Sequence, residues 1–311
     1  MANTHATLAA LFDGIAGSIR AVSPVTEEIK ADAFPAYIRM LGYDGAIPAA
    51  PSVLNSCPWD FIRWASDEGI ADLLWSVGDR KAVTLGAWGG PWTSYQVSAG
   101  TYYAYIIGFN HNKELEGDKR IHFEFGFTQL SDGTHIAFSN GAYNLYVNDS
   151  SQSTLTRMNM INTNSGGWES CTMRTGTLNG EDKSLLSASP SDLVAALKTV
   201  TKYTDNAGGG SGSVESNVTS TVDTYFLLNV HELRGTGAMN TYEAQKTAQY
   251  QYYKNGNEQG RNKSNDTSVD AKFLLRSPNP SSSTQFMGFG SGVGLYVNAN
   301  MCLAISPAFC V

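Results

Sequence analysis

Residues 273–311, FLLRSPNPSSSTQFMGFGSGVGLYVNANMCLAISPAFCV, constrain this chain more than any other stretch. They open on the apolar trio Phe273-Leu274-Leu275 before Arg276-Ser277-Pro278, and close on Ser306-Pro307-Ala308-Phe309-Cys310-Val311. Beyond Arg276 the stretch carries no charge, only Gly, Ser, Asn and isolated apolar side chains. Chain ends fray unless an element ties them down, so Ala308–Val311 is expected as a strand docked in the core. The segment between the two signatures then reads as a loop-rich surface pinned at both ends, the usual construction of a binding face.

The remaining composition agrees with a β- and loop-rich protein. Only 16% of the 311 residues are charged, whereas Gly (31) and Tyr (15) are abundant. A net charge of −7 without a Lys/Arg run argues against a nucleic-acid partner. No apolar run has the length of a membrane span, so membrane insertion is not expected. MANTHATLAALF has neither the basic region nor the apolar core of a signal peptide, so export by that route is not expected either. Cys57, Cys171, Cys302 and Cys310 are too few and too scattered for a disulfide framework and read as buried thiols. Asn-x-Ser/Thr triplets at Asn148, Asn217, Asn262 and Asn265 reflect composition alone.

Three segments emerge along the chain. In residues 1–42, Leu8, Leu11, Phe12, Ile15 and Ile19 recur at helical spacing. Pro24 ends that helix, and a second begins near Asp32 with Phe34, Ile38 and Leu41 on its buried side. Residues 43–57, with Gly45, Pro48 and Pro51, read as a linker. The main domain, 58–311, is expected to hold strands near 81–88, 102–109, 121–127, 135–138 and 224–228, and a helix opening at Ser189-Pro190-Ser191-Asp192. His122 and Glu124 are expected on the face of strand 121–127 opposite Ile121, Phe123, Phe125 and Phe127, with His122 solvated or hydrogen-bonded. Asn240 and Glu243 resemble a capping box for a helix running to Tyr252. AGGGSGS at 207–213 reads as a flexible loop joining two halves of the domain.

Catalytic signals are sparse, and no cofactor is expected. None of His5, His111, His122, His135 and His231 lies in a metal-binding helical spacing, and no G-x-S-x-G elbow occurs. The glycines at 288, 290, 292 and 294 miss the GxGxxG spacing of a phosphate cradle. Glu114, Glu116, Asp118 and Glu124 stand among Lys113, Lys119 and Arg120 and read as a salt-bridged loop. In 279–305, Phe289, Val293 and Ile305 are assigned to the core. Asn279, Gln285, Tyr296, Asn298, Asn300 and Met301 are assigned to the surface, and with Leu295 and Leu303 they form the candidate ligand-binding set. No coiled-coil heptad fixes an oligomeric state.

Several of these segments carry a resemblance. LFDGIAGSIRAVSPVTEEIKADAFPAYIRML (11–41) is similar to an N-terminal module of tail proteins in phages and prophages of Gram-positive bacteria. LLWSVGD, YIIGFNHNKELEGDKRIHFEFG, NTNSGGWESCTMR, SPSDLVAALKTVTKYTDNAGGG and FLLRSPN…SPAFCV together resemble a domain of unknown function, DUF6273, frequent in Firmicutes phages. The last stretch further resembles variable regions of retroelement-diversified proteins with a C-type lectin-like fold, although Phe273-Leu274-Leu275 stands where tryptophans are common. The resemblance implies an α+β, C-type lectin-like ligand-binding domain at a tail tip, in the virion, and not an enzyme. It implies a host cell-surface protein or glycan as ligand, attachment to other tail proteins through residues 1–42, and a homotrimer. Two alternatives stay open. One is a structural tail or baseplate protein, which a continuous apolar patch over 287–305 would favour. The other is a formylglycine-generating-type oxidase, which exposed Cys302 and Cys310 thiols would favour.

Overall fold

A computed structural model describes residues 4–89, 97, 99–126, 156–236, 240–254, 264–266, 269–270, 272–290 and 292–311. The expected strand at 135–138 and the triplets at Asn148 and Asn262 lie outside these. The described residues form a mixed helix-and-sheet protein, consistent with the α+β expectation.

Its central sheet orders β1 (Arg80–Leu85), β2 (Gly100–Phe109), β3 (Ile121–Gly126), β12 (Ala308–Cys310) and β6 (Tyr225–Phe226). Val83, Leu85, Tyr102, Ala104 and Ile106 are buried in it, the β-branched and aromatic content that suits a pleated surface. The terminal signature docks as expected. β12 runs antiparallel to β3 on one side (Phe309 opposite Phe123) and to β6 on the other (Phe309 opposite Tyr225). Phe309 stacks on Phe123 at 5.2 Å and meets the edge of Tyr225 at 5.6 Å.

A hairpin of β4 (Val200–Asp205) and β5 (Val218–Asp223) lies apart from this sheet, as do β7 (Ser264–Asp266) and β8 (Val269–Asp270). A three-stranded sheet orders β11 (Val293–Asn298), β10 (Gln285–Gly290) and β9 (Phe273–Pro278). Residues 273–311 are therefore more regular than a loop-rich stretch. Gly288 and Gly290 face Leu295 and Val293 across the β10–β11 pair, so small and large residues alternate between the strands.

Short helices pack around the sheets: α3 (Trp59–Asp67), α4 (Ala71–Leu74), α5 (Lys113–Glu116), α6 (Gly167–Ser170), α7 (Leu185–Ala188), α8 (Ser191–Ala196), α9 (Val230–Arg234), α10 (Thr241–Lys246) and α11 (Gln251–Lys254). The helix at 189–192 starts at Ser191, and Ser189 instead bonds Leu185 O and Tyr225 OH. Asn240 does cap α10, accepting from Tyr242 N–H. Glu243 does not turn back to the cap but enters the core, and the helix stops at Lys246. The reciprocal capping box is at Asn229 and Glu232, opening α9.

At the other end of the sequence, α1 (Thr4–Ala21) and α2 (Phe34–Met40) meet through Phe12 and Phe34, with ring centroids 5.6 Å apart. Ala16 and Ile19 of α1, and Phe34, Ala36, Tyr37 and Met40 of α2, join the hydrophobic core. Ile38 and Leu41 do not: they stand 56% and 42% exposed, because 34, 37 and 40 share the inward face. The stretch 43–57 contributes Leu54 and Cys57 to the same core.

Candidate functional site

Beneath the terminal hairpin lies a fully buried ionic cluster. Lys202 of β4 places Nζ 2.6 Å from Glu116 Oε2, 3.0 Å from Glu232 Oε1 and 2.8 Å from Tyr250 OH. Arg276 of β9 embraces Glu232 with both terminal nitrogens, and its Nε donates to Thr204 Oγ1 at 2.8 Å. Two cations thus balance two carboxylates. Burial opposes charge on Glu232, but Arg276 and Lys202 outweigh it and hold its carboxyl far below the usual range. Burial pushes Glu116 up, and Lys202 only partly offsets this. Glu116 therefore pairs with β4 and not with the lysines and arginine of its own loop.

His111, Glu116 and Glu232 bring ligand-type atoms within 4.8 Å of one another. The Lys202 ammonium already stands between the two carboxylates as their counter-cation, which repels a divalent ion. His111 stacks on Tyr250 at 3.6 Å between centroids, and burial with nearby Lys202 pushes its pKa down to about 3. His122 and Glu124 share the strand face opposite Phe123 and Phe125, as expected, and that face is buried. Glu124 accepts from Tyr253 OH, and His122 Nδ1 lies 3.1 Å from Tyr250 OH and 3.3 Å from Cys310 Sγ. That Cys–His contact is not an activated pair. Burial drives the thiol up to about 12 and holds the imidazole well below its ordinary value, so both are neutral. Cys302 and Cys310 are both buried, as are Cys57 and Cys171.

Three loops are tied together by Asn164. Asn164 is fully buried, and its Nδ2 donates to Asn279 O (3.2 Å), Ser282 O (2.8 Å) and Gln285 O (2.6 Å). Its Oδ1 accepts from Gly209 N–H at 2.8 Å. The loop 207–213 is accordingly no flexible joint. Asp205 Oδ1 accepts from Ala207 and Gly208 N–H, Ala207 O accepts from Gly166 N–H, and Pro280 O accepts from Gly212 N–H. Gly208, Gly209, Gly210 and Gly212 all have positive φ, so the glycines build a defined latch.

The candidate ligand-binding residues divide around this base. Tyr296 is 56% exposed, Asn300 is exposed, and Gln285, Leu295 and Asn298 are half-buried. Asn279 and Met301 are buried, contrary to their assignment to the surface, and Leu303 of the same set is buried as well. Asn279 is a turn-former: its Oδ1 accepts from Ser281 N–H at 3.0 Å, and its Nδ2 donates to Gln285 Oε1 at 3.0 Å. After the turn at 298–301 the chain heads inward, where Leu303 exchanges backbone hydrogen bonds with Thr156. Phe289 and Ile305 are core as expected, whereas Val293, on β11 opposite Gly290, is 48% exposed.

Two residues of this surface were missed. Asn159 N–H donates to Ala299 O at 2.9 Å, which sets the following residues beside the 298–300 turn. Met160 and Ile161 there are 58% and 70% exposed. Their signal was present in MNMINTNS: large apolar residues at adjacent positions in an otherwise Asn-rich loop have no helical or strand face to fill. Together Tyr296, Asn298, Asn300, Met160 and Ile161 offer phenol, amide and apolar groups without charge.

The chain belongs to the family described as a domain of unknown function, DUF6273, whose match spans residues 145–311, more than half of the chain. That span includes the 159–166 loop, the latch, Arg276 and the whole terminal hairpin. No curated protein and no solved structure matches the chain.

Proposed function

We propose that this chain is a receptor-binding protein of a phage or prophage tail tip, contacting a host-surface protein or glycan through its terminal hairpin. One observation carries the reading: an uncharged group of side chains, Tyr296, Asn300, Met160 and Ile161 exposed and Asn298 half-buried, is carried by β11, the turn after it and the 159–166 loop, which Asn164 and the glycine latch hold in place. A preorganised, uncharged face loses little entropy on contact and suits recognition. The C-type lectin-like frame is part of the proposal, supported by the terminal signature returning as an inner strand between β3 and β6. Attachment through residues 1–42 and presentation in several copies would let weak single contacts add as avidity.

The large residues of 287–305 favour this reading over a purely structural tail protein. Met287, Phe289, Val297, Met301, Leu303 and Ile305 are buried, which leaves only Val293, Leu295 and Tyr296 of the described large residues there turned at least partly to solvent, too few for a continuous apolar patch over 287–305. The test is binding of the purified protein to cells of candidate host strains, beside a Tyr296→Ala/Asn298→Ala/Asn300→Ala variant of equal thermal stability. Binding by the parent, lost in the variant, is expected. Binding by neither, with incorporation into tail particles, would overturn the proposal.

A further inference from the structure

The second apolar face of α1 has no partner among the described residues. Ala16 and Ile19 turn toward the core and Phe12 toward Phe34 of α2. About a quarter turn around the helix, Leu8 and Leu11 stand 48% and 57% exposed, and Val22, just past its end, 70% exposed. The positions 8, 11, 15, 18 and 22 (Leu, Leu, Ile, Ser, Val) alternate steps of three and four. That alternation is the seam spacing of helices packed side by side at a shallow angle. In the sequence it was hidden, because the seam and the core-facing stripe overlap at Ile15. The exposed Ile38 of α2 and Leu41 just past its end flank the same groove, which Ala10, Gly14 and Ser18 also line.

We propose that this groove is occupied by the same face of a second copy of the chain. Three features favour a copy over another partner. The face holds both halves of a fit. Leu11, Ile15, Val22, Ile38 and Leu41 project, while Ala10, Gly14 and Ser18 recede, and a Cβ at Gly14 would meet nothing within 4 Å. Symmetric self-contact requires knobs and holes on one surface. The face is also without charge, since Asp13 and Arg20 lie on the opposite side of α1, so facing copies bring no like charges together. Finally, five aliphatic side chains about half exposed make a patch of roughly 400 Å². Doubled by symmetry, with the lining of the groove, it approaches the ~1,000 Å² at which specific interfaces begin.

The proposal does not depend on the ligand-binding face, which lies at the opposite end of the sequence, and it gives the α1–α2 groove to a second copy while leaving the rest of residues 1–42 for attachment. Its test is the mass of the full chain in sedimentation equilibrium between about 1 and 100 µM, the range expected for an interface near that lower limit. The parent chain should reach at least twice its 33.5 kDa. Leu11→Glu/Ile38→Glu, which changes two solvent-facing side chains, should stay monomeric throughout, weakening association at least tenfold. Leu11→Gln, nearly isosteric, gives the same reading should the double variant fold poorly. Tyr296→Ala should leave the mass unchanged. A parent chain that is monomeric at the highest concentration, or an oligomer that persists in the Leu11 variants, would overturn the proposal.

Discussion

A Cβ placed on Gly208 would lie 1.9 Å from the carbonyl oxygen of Asn164, at a backbone φ of +56°. The contact fixes Gly208, since the oxygen is a backbone atom, while the hydrogen bonds of its side chain fix Asn164. Only glycine allows the latch to approach the 159–166 loop, and only an amide at 164 can give to three carbonyls while accepting from Gly209. Gly208→Ala is therefore expected to destabilise the protein by about 2–4 kcal/mol, combining left-handed strain with a backbone clash. Gly209→Ala has a similar φ of +66° but its nearest neighbour is 3.9 Å away, and should cost only about 1 kcal/mol. Urea unfolding of the two variants side by side checks the difference.

Lys202 is the keystone of the ionic cluster. Lys202→Met leaves Glu116 and Glu232 facing each other with only Arg276 to neutralise them, at an expected cost of about 3–5 kcal/mol. Adding Glu116→Gln removes the surplus negative charge, so the double variant should be more stable than Lys202→Met alone. A double-mutant cycle from urea midpoints should show coupling above about 1 kcal/mol.

Glu243 gives the stability a pH dependence of definite sign. Burial raises its carboxyl from 4.5 to about 7, only partly offset by the hydrogen bonds it accepts from Ser277 Oγ–H and Asp205 N–H. The folded state thus holds this proton more tightly than the unfolded state. Its contribution is full below about 4.5 and is lost as pH rises through about 7. Glu243→Gln mimics the protonated acid, so its advantage over the parent should grow between pH 4.5 and 7 and level off above, reaching about 1–3 kcal/mol. Thermal melts from pH 4 to 9 follow the gap, and a gap that closes as pH rises would sink the assignment.

Met160 and Ile161 separate recognition from stability. Both stand in solvent, so Met160→Ser/Ile161→Ser should change unfolding free energy by less than about 0.5 kcal/mol. If the surface beside 298–300 contacts the ligand, the same variant should weaken host-cell binding at least tenfold, as Tyr296→Ala should.

What the sequence disclosed follows from how local the cause is. The docking of Ala308–Val311 was legible because four successive buried side chains at Ala-Phe-Cys-Val have few alternatives to a two-faced strand. The buried thiols and the Asn240 cap were legible for similarly local reasons. Glu243 and Glu116 were not: one reads as a capping residue and the other as part of a salt-bridged loop, because the partners, Ser277 and Lys202, lie far along the chain. His122 followed the strand alternation faithfully, but the face it points to is covered by Tyr250, which no periodicity in β3 can announce. The glycine run at 207–213 was misread because composition reports conformational freedom, whereas the hydrogen bonds that remove it come from Asn164 and Pro280. Asn279 and Met301 were placed outside by residue type, although turn geometry directs both inward.

The position of β12 bears on synthesis as well as stability. Its neighbours β3 and β6 are made long before residues 308–310 are. Until those residues arrive, a growing chain holds two unsatisfied sheet margins with aromatic side chains beside them, Phe123 and Phe125 on one and Tyr225 on the other. Such margins recruit other chains, and closing them requires contacts between residues far apart in sequence, which slows folding. Yield in a recombinant host should then depend on translation speed and chaperone supply more than on the final stability of the fold, and ribosome-stalled chains lacking residues 308–310 should be the species that aggregate.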